Sequence, residues 1–329
     1  MNPTPSSTHL TSATPSDRPA FDQVQPKIDG TQRIGAGGER ALVLGGGGST
    51  GNAWLIGIIA GLFEAGLDVI EADLIIGTSA GSTAAAQLTS GVRPSELLAD
   101  ILAATPRPPA GPAAPDRGRV PSRASDQVQR TSKIIAAAED AADMRRRMGA
   151  AALDLDAASD GSAHTRWRAT VAARLPSPYW PEQAVLITAV DAETGEPVVF
   201  DRHSGVDLVD AVAASCSSGA PYSIAGRRYI DGGYRRNENA DLAAGHARVL
   251  VLSPFSGRSR HPLDWGMHLS TQVDELRAHG SRVETIFPDT SSEHLFGANA
   301  MDLSARPLAA RAGYQHGRAL AELLIEFWR

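Results

Sequence analysis

The sequence predicts an α/β fold built on a mainly parallel sheet, and three observations carry that prediction. Short apolar, β-forming runs stand at Ala41 to Leu44, Asp73 to Ile76 and Arg248 to Leu252, the pattern of strands buried on both faces. Between the first two, Trp54, Ile58, Leu62 and Ala65 recur at helical spacing. Strand, helix and strand in that order make a βαβ unit, whose strands pair in parallel. Finally, small-residue turns follow both strands, at Gly45 to Gly51 and at Gly77 to Gly81.

The chain has 329 residues, enough for one large domain or two small ones with a sizeable core. A net charge of −6 excludes a general basic field for nucleic acid or anionic lipid. The single cysteine, Cys216, excludes an internal disulfide and fits a reducing compartment, so a cytoplasmic protein is expected. The longest apolar run, Ala53 to Phe63, is too short to span a bilayer, and contact with lipid would be a transient visit to the membrane surface.

Residues 1–38 hold Pro3, Pro5, Pro15, Pro19 and Pro26 among Ser and Thr, with few apolar side chains to offset the entropy of ordering. They read as a disordered leader without a signal-peptide core, and residues 39–329 as the folded domain. Pro94 opens a helix from Ser95 to Ala104. The Pro/Arg/Gly-rich stretch 105–125 is expected to be a flexible loop or lid. A helical stretch follows, Asp126 to Met148, whose polar face carries Arg145-Arg146-Arg147; the run reads as a solvated helix end, where cations suit the dipole, ahead of a contact for anionic head groups. Trp167, Tyr179 and Trp180 read as core or rim packing.

Ala184 to Val190 and Pro197 to Phe200 form a hairpin about Gly195, with Asp191, Glu193 and Glu196 solvated. Leu208 to Ala214 is a helix. Cys216 then reads as a small packed thiol, since no helix N-terminus or paired histidine accompanies it. A short hairpin about Gly226 ends in Asp231-Gly232-Gly233. A further helix is expected at Asp264 to Ala278, a strand at Val283 to Phe287, and a last helix from Ala305 to Trp328. The nine histidines are scattered, and no metal or cofactor site is expected.

Two loops carry chemistry. Leu74-Ile75-Ile76 runs into Gly77-Thr78-Ser79-Ala80-Gly81 and then an Ala-rich helix. Strand, sharp turn and helix make the context of a nucleophile elbow, which lifts Ser79 clear of its neighbours. The glycine loop Gly45 to Gly51 fits a phosphate cradle, an oxyanion hole or a plain βα turn. A P-loop needs a lysine that is missing here. The neighbouring parallel strand favours the second reading, because it brings Ser79 and the N–H groups of Gly46, Gly47 and Gly48 to one sheet edge. Asp231, at a strand end before two glycines, reads as a turn former or as a base poised at that edge.

Taken together, Gly46-Gly47-Gly48-x-x-Gly51, Gly77-x-Ser79-x-Gly81 and Asp231-Gly232-Gly233 resemble the patatin-like phospholipase family, over about residues 40 to 320. The resemblance implies a three-layer αβα patatin-like fold and a Ser–Asp dyad, with Ser79 as nucleophile and Asp231 as general base. It also implies an oxyanion hole in Gly46, Gly47 and Gly48, joined by the N–H of Ala80, and a lipid ester as substrate. Two positions depart from the family pattern. Thr50 stands where Arg or Lys is common, and Gly219 where Pro is expected. The first removes a cation from the loop; the second alters a segment that borders the family's pocket. The rival enzyme reading is a Ser–His–Asp hydrolase drawing on His294 or His316. The rival from another class is an inactive lipid-binding protein of the same fold.

Overall fold

A computed structural model of the chain describes residues 29–30, 37–104, 123–157 and 162–329. Most of the expected leader (1–38) and most of the expected loop or lid (105–125) lie outside the described residues.

In chain order the main elements are β1 (Gly38–Leu44), α1 (Gly48–Glu64), β2 (Leu74–Gly77), α2 (Ala80–Leu88), α3 (Pro94–Ala103), α4 (Arg123–Ala137), α5 (Ala141–Ala157) and α6 (Ser162–Ala172). They continue with β3 (Ala184–Asp191), β4 (Pro197–Phe200), α7 (Leu208–Ser215), β5 (Tyr222–Ile224), β6 (Arg227–Asp231), β7 (His246–Leu252), α8 (Leu269–Ala278), β8 (Arg282–Ile286) and α9 (Arg306–Trp328).

The strands form one sheet in the order β5-β6-β3-β2-β1-β7-β8, with β4 also paired to β3. The run β3-β2-β1-β7-β8 is parallel throughout, and β4, β5 and β6 add antiparallel pairings at one end. Both faces are buried, and the two-residue period of a strand divides the side chains between them. Leu42, Leu44, Ile75, Ile187, Leu250 and Leu252 join a core with α1, α2, α3, α7 and α9. Ala41, Val43, Leu74, Ile76, Leu186, Val249 and Val251 pack with α8 and the turn 240–243. Met144, Met148, Val190 and Ile230 form a third cluster where α4 and α5 cover the antiparallel end. This is the three-layer arrangement around a mainly parallel sheet that the sequence predicts.

Helix α1 is almost wholly buried, and glycines let α9 lie against it backbone to backbone. A Cβ on Gly57 would stand 2.2 Å from the Ala310 carbonyl oxygen, and one on Gly313 would stand 2.4 Å from that of Trp54. With α1 held this way, its N-terminus is fixed at the end of β1.

Three local expectations need correction. The helix expected over Asp126 to Met148 is two helices. The break falls at residues 138–140, where Asp140 accepts the Asp143 N–H (2.7 Å) and Asp143 accepts the Glu139 N–H (3.1 Å). These side-chain acceptors satisfy N–H groups that a continuous helix would have bonded internally. Arg145, Arg146 and Arg147 therefore sit early in α5, not at a helix end. Arg146 and Arg147 pair with Asp143 (3.5 and 2.7 Å), and Arg145 donates to the Gly195 carbonyl (2.7 Å). Asp191 is buried rather than solvated, because its carboxylate accepts the N–H groups of Glu193 and Thr194 inside the hairpin turn.

Candidate active site

The site assembles at the C-terminal edge of the parallel strands. β1 and β2 end side by side, with Leu44 opposite Gly77, and the Thr78 N–H donates to the Leu44 carbonyl (3.1 Å). β3 carries the third component. Its Ile187 stands opposite Gly77 and its Ala189 opposite Asp231. Two residues of strand span only about 6.6 Å, so one strand brings the turn after β2 and the end of β6 to the same place.

Ser79 occupies the sharp turn between β2 and α2 with φ 52° and ψ −115°. A side chain is rarely held in that left-handed region, and the conformation persists only where its surroundings fix it. The flanking glycines are dictated by space. A Cβ on Gly81 would lie 1.9 Å from the Leu44 carbonyl oxygen, and one on Gly77 would lie 2.6 Å from the Ser82 Cα. Side chains hold the turn as well. Ser215 Oγ accepts the Ser79 N–H (2.9 Å), while Ser82 Oγ (2.6 Å) and Cys216 Sγ (3.1 Å) donate to the Ser79 carbonyl. The sequence resemblance includes Ala214-Ser215 but does not reveal the bond that Ser215 makes to Ser79. Ser215 and Cys216 come from the end of α7, more than 130 residues away.

Ser79 Oγ donates to Asp231 Oδ2 at 2.8 Å. The other carboxylate oxygen accepts the Gly233 N–H at 2.8 Å. Asp231 is 7% exposed. Burial pushes its carboxyl up to about 6, against the opposing pull of the Gly233 N–H and the Ser79 hydroxyl. A carboxylate titrating there is a stronger base than an ordinary one, yet still ionised at neutral pH.

Two segments next to the elbow carry backbone N–H groups, the loop after β1 and the first turn of α2. At the end of β1, the loop bends through Gly48 (φ 64°), where a Cβ would meet the Ala300 carbonyl at 2.7 Å. Gly46 is not among the available donors. Its single N–H is already donated to the Asn237 carbonyl (3.0 Å), which corrects the expectation that all three loop glycines offer one. Among the described residues, nothing accepts from the N–H groups of Gly47, Gly48 or Ala80. The last lies in the first turn of α2, where the helix dipole also favours negative charge.

The departure at Thr50 leaves the loop with a cation after all. Thr50 is buried and its N–H donates to the Ala300 carbonyl (3.0 Å). Arg306, from the first turn of α9, donates to Ser49 O (2.8 Å) and Ser49 Oγ (3.2 Å) and to Asn52 Oδ1 (3.2 Å). Burial and Arg174 lower its guanidinium to about 10, which leaves it charged at neutral pH. Gly219 borders a small cavity with Gln127, Thr131, Met148 and Tyr234. Its missing side chain would touch nothing within 4 Å.

The histidines stand elsewhere. His294 Nδ1 contacts the Ser291 carbonyl (3.0 Å), and His316 lies on α9 with Nδ1 buried and without a partner among the described residues. Cys216 is a packed thiol, pushed up to about 11 by burial and the nearby Asp231 charge. Trp167 and Trp180 donate their indole N–H groups to Ala213 (3.0 Å) and Val206 (2.7 Å), as packing residues, and Tyr179 is exposed. Among the described residues there is no metal-binding cluster, and no helix is long and apolar enough to cross a membrane.

Comparison with known proteins adds a family. One solved structure, VipD from Legionella pneumophila, is similar over 88% of this chain and 67% of its own, at 13% identity and a TM-score of 0.38. No curated protein matches the sequence. A family model described as patatin-like phospholipase matches residues 42–244, well over half of the 329, and that span contains the glycine loop, Ser79 and Asp231. This chain is therefore a member of the patatin-like phospholipase family.

Proposed function

We propose that the protein is a lipid acyl hydrolase working through a Ser79–Asp231 dyad and an acyl-enzyme intermediate. The observation that carries the reading is the 2.8 Å hydrogen bond from Ser79 Oγ to the buried Asp231 carboxylate. Asp231 takes the hydroxyl proton as Ser79 Oγ attacks the ester carbonyl carbon. The N–H groups of Gly47, Gly48 and Ala80 receive the oxyanion that forms. Removing one such donor in other hydrolases costs about 2.7–4 kcal/mol of transition-state stabilisation. The tetrahedral intermediate collapses, the C–O bond to the leaving alcohol breaks, and that alcohol takes the proton back from Asp231. Water then attacks the acyl-enzyme with Asp231 again as base, releasing the fatty acid and free Ser79.

In this reading Gly46 positions the loop through Asn237. A Ser–His–Asp mechanism lacks support, because the hydroxyl of Ser79 is bonded to a carboxylate and neither His294 nor His316 contacts it. An inactive lipid-binding protein is disfavoured by the intact serine, acid and open N–H groups. Substrates are acyl esters of lipids, met in solution or at a membrane surface.

The test is turnover of lysophospholipid, phospholipid, triacylglycerol and short p-nitrophenyl esters by the purified chain. At least one should be hydrolysed, and Ser79→Ala and Asp231→Asn should each lower the rate by about 10³-fold or more. The His294→Ala/His316→Ala double variant should keep most of the rate. Hydrolysis that survives in folded Ser79→Ala, or that needs either histidine, refutes the dyad.

A further inference from the structure

Six residues beyond Asp231 the chain makes a tight turn, Asn237-Glu238-Asn239, that touches all three parts of the site. Asn237 grips the glycine loop from both sides: its carbonyl accepts the Gly46 N–H (3.0 Å) and its Nδ2 donates to the Gly46 carbonyl (3.2 Å). Asn239 is completely buried in the left-handed region (φ 54°), which asparagine tolerates better than most residues. Its Nδ2 lies within hydrogen-bond distance of Arg236 O (2.7 Å), Thr78 Oγ1 (3.0 Å), Thr188 Oγ1 (3.2 Å) and Gly232 O (3.3 Å). Its Oδ1 accepts from Arg235 Nη1 (2.6 Å).

The chemistry of these partners fixes the amide's orientation. Arg235 can only donate, and the two carbonyls can only accept, so the nitrogen must face Gly232 and Thr78. Thr78 immediately precedes Ser79, and Gly232 immediately follows Asp231. Thr188, from the β3 segment between their two partners, closes the ring by a 3.0 Å contact with Thr78 Oγ1. A Cβ on Gly232 would lie 2.3 Å from Thr188 Oγ1, so the base's loop is pressed against the same hydroxyl.

We infer that Asn239 is a positioning residue that sets the separation of Ser79 and Asp231, holding the nucleophile's strand end and the base's loop on one buried amide; the inference rests on the dyad reading. Solvation of the core alone would not require the amide's neighbours to be the residues flanking both reacting side chains. Without the amide, the Gly232 and Thr78 ends lose their common anchor, and a shift of about 1 Å at a reacting pair costs on the order of 10²-fold in rate.

Asn239→Gly removes the side chain while keeping a residue at ease with positive φ. Thr78→Val removes the nucleophile-side partner and keeps a β-branched shape, so it serves if the glycine variant does not fold. Turnover of a p-nitrophenyl ester is measured per Ser79 site titrated with a fluorophosphonate, which separates misplacement from loss of folded protein. The expected result is a fall in kcat per site of about 10- to 100-fold with KM within about threefold. The double variant should be no worse than the poorer single one, because both break one network. A fall of less than tenfold in a folded single variant overturns the assignment. Ser79→Ala, run alongside, separates the two levels: if it turns over normally the dyad itself is wrong, and if it is inactive only the role of Asn239 is at stake.

Discussion

At Asp231 the requirements of folding and of catalysis oppose each other. Its carboxyl titrates near 6 in the folded chain against an ordinary 3.8. The folded state therefore binds that proton more tightly, and this group's contribution to stability falls as pH rises from about 4 to about 6. Above that window the folded protein carries a buried carboxylate whose desolvation the Ser79 and Gly233 bonds only partly offset. Asp231→Asn should accordingly raise the melting temperature at pH 8, by roughly 1–3 kcal/mol of stability, with the gain vanishing near pH 4. Calorimetry at the two pH values checks this; an equal gain at both would mean that ionisation is not its source. Ser79 and Asp231 were legible as residues, because each has a local signature of glycines and strand ends. The roles of Asn239 and Arg306 were not, because a hydrogen bond across more than 130 residues leaves no mark in either segment, and Ser215 was legible only as part of the family resemblance at Ala214-Ser215, not in its bond to Ser79. The expectation for Gly46 failed for the same reason: its N–H goes to an asparagine 191 residues away.

The elements divide by how much of their environment is local. The nucleophile elbow could be read from strand-forming residues, two glycines and an Ala-rich helix, since the turn itself demands them. The break between α4 and α5 could not, because helical periodicity runs across it while Asp140 and Asp143 redirect the backbone. Within the elbow, Ser215 Oγ holds the Ser79 N–H. Ser215→Ala should lower kcat about tenfold while the melting temperature falls by only a few degrees, about 1 kcal/mol for one net hydrogen bond. An unchanged kcat would leave Ser215 a packing residue. The pairing of α1 with α9 separates stability from chemistry. Gly57→Ala would drive a Cβ to 2.2 Å from the Ala310 carbonyl. The helices must then part, at about 1–3 kcal/mol. Thermal unfolding should register that loss while ester turnover per titrated site stays at the original value; loss of turnover with unaltered melting would contradict this division.

Across the whole molecule the sheet's order performs the assembly. The sequence announced β1-α1-β2 as one parallel unit, and that unit stands as expected. It did not announce that β3 would carry Gly77 and Asp231 on partners two residues apart, since the neighbours of β3, one of them 110 residues away in the chain, are chosen by global packing. That choice joins an acid and a hydroxyl 152 positions apart. The functional reading depends on their meeting with the serine activated by the acid. The most direct measurement is the rate at which a fluorophosphonate labels Ser79, followed by mass spectrometry from pH 4.5 to 8.5 in the unaltered chain and in Asp231→Asn. Labelling confined to Ser79, rising through a single ionisation near pH 6 and slowed about 10³-fold by Asp231→Asn, is the predicted result; labelling of folded Asp231→Asn at the unaltered rate would contradict it.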